Sequence, residues 1–218
     1  MRTDTDFRTG LGATAIHEAS HAIAGFHSRE LPRVGWVSLG LSGIPQPGGA
    51  CTTLRELDAV RLSEAAFREG MRALVAGFIG EALAGGRRYY AGGDADKIVR
   101  LVALRASWRL GRARFSNHRS ALLRVDAELR ASERIARDAA RDAEVLLRLR
   151  WHEVEGVARR LLEVGDLDAK LLATTIERTQ RRPAPKVGDV ERLLGLFGAF
   201  ESRHVELEAA LRQQLALA

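Results

Sequence analysis

Five consecutive residues, His17-Glu18-Ala19-Ser20-His21, have the types and spacing for hydrolytic chemistry. Histidines at i and i+4 share one face of a helix, so both imidazoles can point at one metal ion. Glu18 stands beside the first histidine, within reach of a water bound there. A zinc ion lowers the pKa of such a water toward about 7, and a neighbouring carboxylate can take its proton for attack on a peptide carbonyl. The pattern predicts a zinc-dependent peptidase with His17 and His21 as metal ligands and Glu18 as the general base. The bland alternative is two unrelated histidines on a solvated or packed helix. The Ala- and Ile-rich surroundings favour a buried active-site helix instead.

Catalytic zinc sites usually have three protein ligands and one open position, so a third ligand is required. His27 lies six residues after His21, a spacing close to HExxHxxGxxH. That pattern needs Gly where Ala24 stands, and the methionine turn that accompanies it is missing. Glu81 falls on the apolar face of a later helical segment, where an acid must be paired, hydrogen-bonded or bound to metal. Gly92-Gly93-Asp94-Ala95-Asp96 opens another helix. There Asp94 can serve as N-cap, and Asp96 falls in the first turn.

The elements that must position these groups are mostly helical. Residues 13–27 form the motif helix. Val34 to Leu39 and Ala50 to Leu54 read as strands around a Pro/Gly loop. Helices are expected over 62–84, ended by Gly85-Gly86, and over 94–110. One long Arg/Glu/Ala helix is expected over 120–164, broken by Gly165-Asp166. Asp168 then caps a short helix through Ile176. Arg182-Pro183-Ala184-Pro185 reads as a linker before a last amphipathic helix. The expected fold is mainly α with a small N-terminal β-sheet (α+β). Residues 1–180 would form the metallopeptidase-like domain, and 181–218 the linker and C-terminal helix.

Composition limits the rest. The chain has 218 residues, 46% hydrophobic and 28% charged, enough for a real core and too apolar for a disordered chain. No apolar run is long enough to span a membrane, and Met1 to Phe7 shows no secretory signal. A single cysteine, Cys51, excludes an intrachain disulfide. These features point to a reducing, cytoplasmic setting. The net charge is +6, but acids interleave with the basic residues along helical segments, so a nucleic-acid partner is not the favoured reading. Lysine occurs only at 97, 170 and 186, never followed by Ser or Thr. No phosphate-binding loop of the Gly-x-x-x-x-Gly-Lys-Ser/Thr class is present, so ATP hydrolysis of that class would belong to another chain.

Taken in order, several segments resemble the peptidase domain of the FtsH-type AAA proteases. That family has His-Glu-Ala-Gly-His, where this chain has Ser20 in place of Gly. It has a strand edge like Gly48-Gly49-Ala50-Cys51-Thr52, and a helix with Gly-Arg-x-Ala-Glu, here Gly77-Phe78-Ile79-Gly80-Glu81. It has Thr-Gly-Ala-x-x-Asp, whose aspartate is the third zinc ligand. Ala91 to Asp96 aligns with it without a gap and makes Asp96 the favoured third ligand, with Asp94, from which the downstream residues fit better, as the alternative. The resemblance covers roughly residues 10–178. It implies zinc as cofactor, an extended polypeptide substrate pairing along Ala50, Cys51 and Thr52, and a homo-oligomeric ring. The family's membrane anchor and ATPase module are missing from the sequence, so a separate ATPase partner is one expectation and unaided cleavage of unfolded chains another.

Two other readings compete. A regulatory metallopeptidase cleaving one partner protein would more often use a glutamate ligand, here Glu81. A non-enzymatic Arg-rich module binding nucleic acid would show strongly salt-dependent binding. The apolar stripe of the last helix also suggests a homo-oligomer contact, or packing back on its own domain.

Overall fold

The computed structural model describes residues 10–40, 49–51, 63–85, 93–111 and 118–179. The linker and last helix expected over 181–218, and Thr52, lie outside the described residues. The fold is mainly helical with a small antiparallel sheet, as expected: α1 (Gly10–Phe26), β1 (Trp36–Ser38), β2 (Gly49–Cys51), α2 (Glu64–Leu83), α3 (Gly93–Gly111), α4 (His118–Leu149), α5 (Trp151–Val164), β3 (Asp166–Asp168) and α6 (Ala169–Arg178). None of the described helices is long and apolar enough to cross a membrane.

Helix α1 is the centre of the molecule. It packs against α2 on one side and α5 on another, and touches β1 and β2. Contact on several sides explains its composition. Ala15, Ile16, Ala19, Ala22, Ile23 and Ala24 are all fully buried. Small residues let neighbouring backbones come close, while Ile16 and Ile23 each contribute about 1.5–3 kcal/mol of apolar burial. Helix α2 begins at Ser63, whose hydroxyl accepts from Ala66 N–H at 3.1 Å, and ends at Gly85, which takes φ of +76°. Helix α2 also packs on α4, and α3 on α4, so α2 bridges the motif helix to the long helix.

Two features differ from expectation. The long helix over 120–164 is two helices, divided at Arg150, which leaves helical geometry at φ −111° and ψ 19°. No Gly or Pro marks the break. The Arg150 carbonyl accepts from Glu153 N–H and Val154 N–H, restarting the helix at once. The new direction buries Trp151, Val154, Val157, Ala158 and Leu161. Burial of that face, not local propensity, divides the helix. The sheet is also not purely N-terminal. Its order is β2-β1-β3, and β3 comes from the segment after Gly165. Leu167 opposite Val37 is fully buried, which holds this short strand in place. Gly165, at φ +81°, ends α5 as expected, and the Asp168 carboxylate caps α6 by accepting from Leu171 N–H at 2.7 Å.

Candidate metal centre

Helix α1 presents His17 and His21 on one face, as their spacing requires. Their Nε2 atoms lie 2.9 Å apart. Asp94, in the first turn of α3, brings Oδ2 to 3.1 Å from each. These three are the one set of His, Cys and acidic ligand atoms among the described residues grouped closely enough to hold a metal ion. Ligand atoms around tetrahedral zinc lie roughly 3.3 Å apart, given bonds of about 2.0–2.1 Å. The observed triangle needs only a few tenths of an ångström of expansion to accept an ion.

The other ring nitrogens explain why a cation belongs there. His21 Nδ1 lies 2.6 Å from the Ala73 carbonyl oxygen, which can only accept. Nδ1 therefore carries the hydrogen, and in the neutral ring Nε2 carries the lone pair. His17 Nδ1 lies 2.5 Å from Glu81 Oε1, and the same logic fixes its tautomer. Two imidazole lone pairs and a carboxylate oxygen thus converge within about 3 Å, an arrangement that repels itself unless a proton or metal ion lies among them. Without metal, a proton does this work. Burial alone would lower the pKa of His17. Hydrogen bonds to Asp94 and Glu81 and the charge of Glu18 outweigh it and raise the value to about 9. Burial would raise that of Asp94, but the two histidines and Lys97 hold it well below the usual carboxylate range.

Helix α2 supplies the wall of the site through an absence. A Cβ on Gly77 would lie 2.6 Å from His17 Cε1 and Nε2 and 2.6 Å from His21 Nε2. Glycine in a helix interior costs about 1 kcal/mol relative to alanine, and here it makes the space the imidazoles occupy. One turn on, a Cβ on Gly80 would lie 1.9 Å from Ser20 Oγ. Ser20 is fully buried and donates to the Ile16 carbonyl at 2.7 Å. Gly80 therefore leaves the space that the Ser20 side chain fills behind the site.

The sequence candidates separate clearly. His17 and His21 come together, and Glu18 is buried at 7% exposure, close enough for its charge to act on His17. Glu81 is not one of the three converging atoms but orients His17 from behind. Of the two aspartates, Asp94 completes the triangle, because α3 begins at Gly93. The side chain of Asp96 lies outside the described residues. His27 belongs to a different cluster: its Nε2 lies 2.6 Å from Glu153 Oε2. Glu153 is pulled to a lower pKa against its burial by that bond and by the charges of His27, Arg150 and His152. Ala50 and Cys51 lie in β2, at the edge of the sheet and against α1. The roles of Gly77 and of the Ala73 carbonyl were not anticipated. A glycine inside an amphipathic helical pattern was the available signal for the first. A backbone carbonyl leaves none in sequence.

No protein-family model matches the chain, and no curated protein matches it either.

Proposed function

We propose that this chain is a zinc-dependent endopeptidase acting on extended or unfolded polypeptide. The observation that carries this reading is the convergence of His17, His21 and Asp94, each histidine oriented through its other nitrogen, with Glu18 buried beside the first. Two imidazoles and one carboxylate suit zinc and leave a coordination position open. When bound, zinc supplies Lewis acidity, which activates a water and polarises the scissile carbonyl.

The chain's own groups do the rest. His17 and His21 offer Nε2 because Glu81 and Ala73 hold Nδ1–H. Glu18 accepts the proton of the attacking water and passes it to the departing amine nitrogen. Strand β2, at the edge of the sheet among the described residues, offers backbone groups at Ala50 and Cys51 to an extended substrate as an added strand, which selects for unfolded segments.

Glu81 is the residue on which a glutamate-ligand regulatory peptidase would depend, and it is already engaged at His17 Nδ1. The arginines do not favour a nucleic-acid module. Along α4, Arg124, Arg130, Arg137 and Arg148 pair with Glu128, Asp126, Glu133 and Glu144, one helical turn away.

The test is cleavage of an unfolded protein by zinc-loaded wild type and Glu18→Gln. Both should retain one zinc, and only wild type should cut, with the variant slower by at least about 100-fold. Equal cleavage by both would refute Glu18 as base. No cleavage by zinc-loaded wild type, across several unfolded substrates, would refute a general endopeptidase.

A further inference from the structure

Asp94 has two carboxylate oxygens, and they are used differently. Oδ2 faces both imidazoles, while Oδ1 accepts from Lys97 Nζ at 2.9 Å. Lys97 is the fifth residue of α3, one turn beyond Asp94. The two form an i,i+3 pair whose lysine side chain is 56% exposed, so its contribution to stability is small. Lys97 is also one of only three lysines in a chain that otherwise uses arginine for its cations. An arginine fork can take both oxygens of a carboxylate, whereas an ammonium is a compact donor suited to holding one.

We propose that Lys97 is a positioning residue that makes Asp94 a one-oxygen metal ligand. By holding Oδ1 on the outer side, it keeps that oxygen from turning inward onto the coordination position that hydrolysis needs open. The inference rests on the metal-centre reading given above and assigns a new role within it. It follows from the division of labour between the two oxygens and from the use of lysine here in an arginine-rich chain.

Cobalt substitution tests this without relying on activity, because the visible absorption of the ion is strong in four-coordinate sites and weak in five- or six-coordinate ones. Wild type, Lys97→Met and Lys97→Gln are each loaded with cobalt. Lys97→Met should bind the ion, with its visible absorption falling to less than about half of the wild-type intensity as Oδ1 joins the coordination. Lys97→Gln, which keeps a neutral donor able to reach an aspartate one turn away, should restore most of the wild-type spectrum. Metal-free melting of all three should agree closely, since an exposed pair contributes little to stability. A Lys97→Met spectrum superimposable on wild type overturns the proposal while leaving the metal centre standing. Failure of wild type itself to bind cobalt or zinc overturns both.

Discussion

Gly77→Ala should weaken zinc binding by at least about 100-fold while leaving the protein folded. The substitution adds one methyl group to the interior of α2, where alanine is ordinarily favoured over glycine by about 1 kcal/mol. Here the added carbon would lie 2.6 Å from three imidazole atoms, about 0.8 Å short of the 3.4 Å at which ordinary contact begins. The rings cannot simply recede. His17 is held by Glu81 at 2.5 Å and His21 by the Ala73 carbonyl at 2.6 Å. Two of the three contacted atoms are the nitrogens that face the ion. Zinc–nitrogen distances tolerate deviations of about 0.2 Å, so relief of the clash by moving either ring removes it as a ligand. Loss of one ligand should lower zinc affinity by at least about 100-fold, or about 2.7 kcal/mol. Overpacking costs about 1–3 kcal/mol, partly offset by the helix-propensity gain, so metal-free melting should change by only a few degrees. Competition against a chromophoric chelator measures the first quantity and circular dichroism the second. A folded Gly77→Ala protein with zinc affinity within threefold of wild type would refute the packing of both imidazoles against Gly77.

Two further outcomes follow from the same geometry. Gly80→Ala should destabilise by about 1–3 kcal/mol through its clash with Ser20, and Ser20→Gly in the same chain should recover at least about 1 kcal/mol of that loss. Additive effects in denaturant unfolding would mean that the two positions are not coupled. The metal-free protein should lose stability as pH rises from neutral. His17 has its folded pKa raised from 6.5 to about 9, so the stabilisation is complete below about 6.5 and is lost through about 9. Its size is on the order of 3 kcal/mol, and melting in chelator should fall between pH 7 and pH 9.5. With zinc bound the metal replaces the proton, and the fall should vanish over that window. A flat metal-free profile would show that no proton is held among the three ligand atoms.

Sequence and structure divide the account of this protein along a physical line. The His17–His21 face, Glu18 beside it, the cap at Asp168 and the stop at Gly165 depend on interactions within one or two helical turns. Helical periodicity and backbone stereochemistry therefore made them legible in the sequence. The division at Arg150 and the strand Asp166–Asp168 were not legible, because each follows from a face that must be buried against a distant partner, Leu167 against Val37 being the clearest case. The same holds at the site. The sequence offered Asp94, Asp96, Glu81 and His27 as partners for the histidine pair and favoured Asp96, whereas among the described residues it is Asp94 that meets them. Asp94 lies 77 positions from His17 and Glu81 lies 64 positions from it. Which of them faces Nε2 and which faces Nδ1 depends on how closely α1, α2 and α3 approach, and that distance is set by side chains that are missing, at Gly77 and Gly80, as much as by those present. Local spacing determined which two imidazoles share a face; only the packing of three helices decided what meets them there.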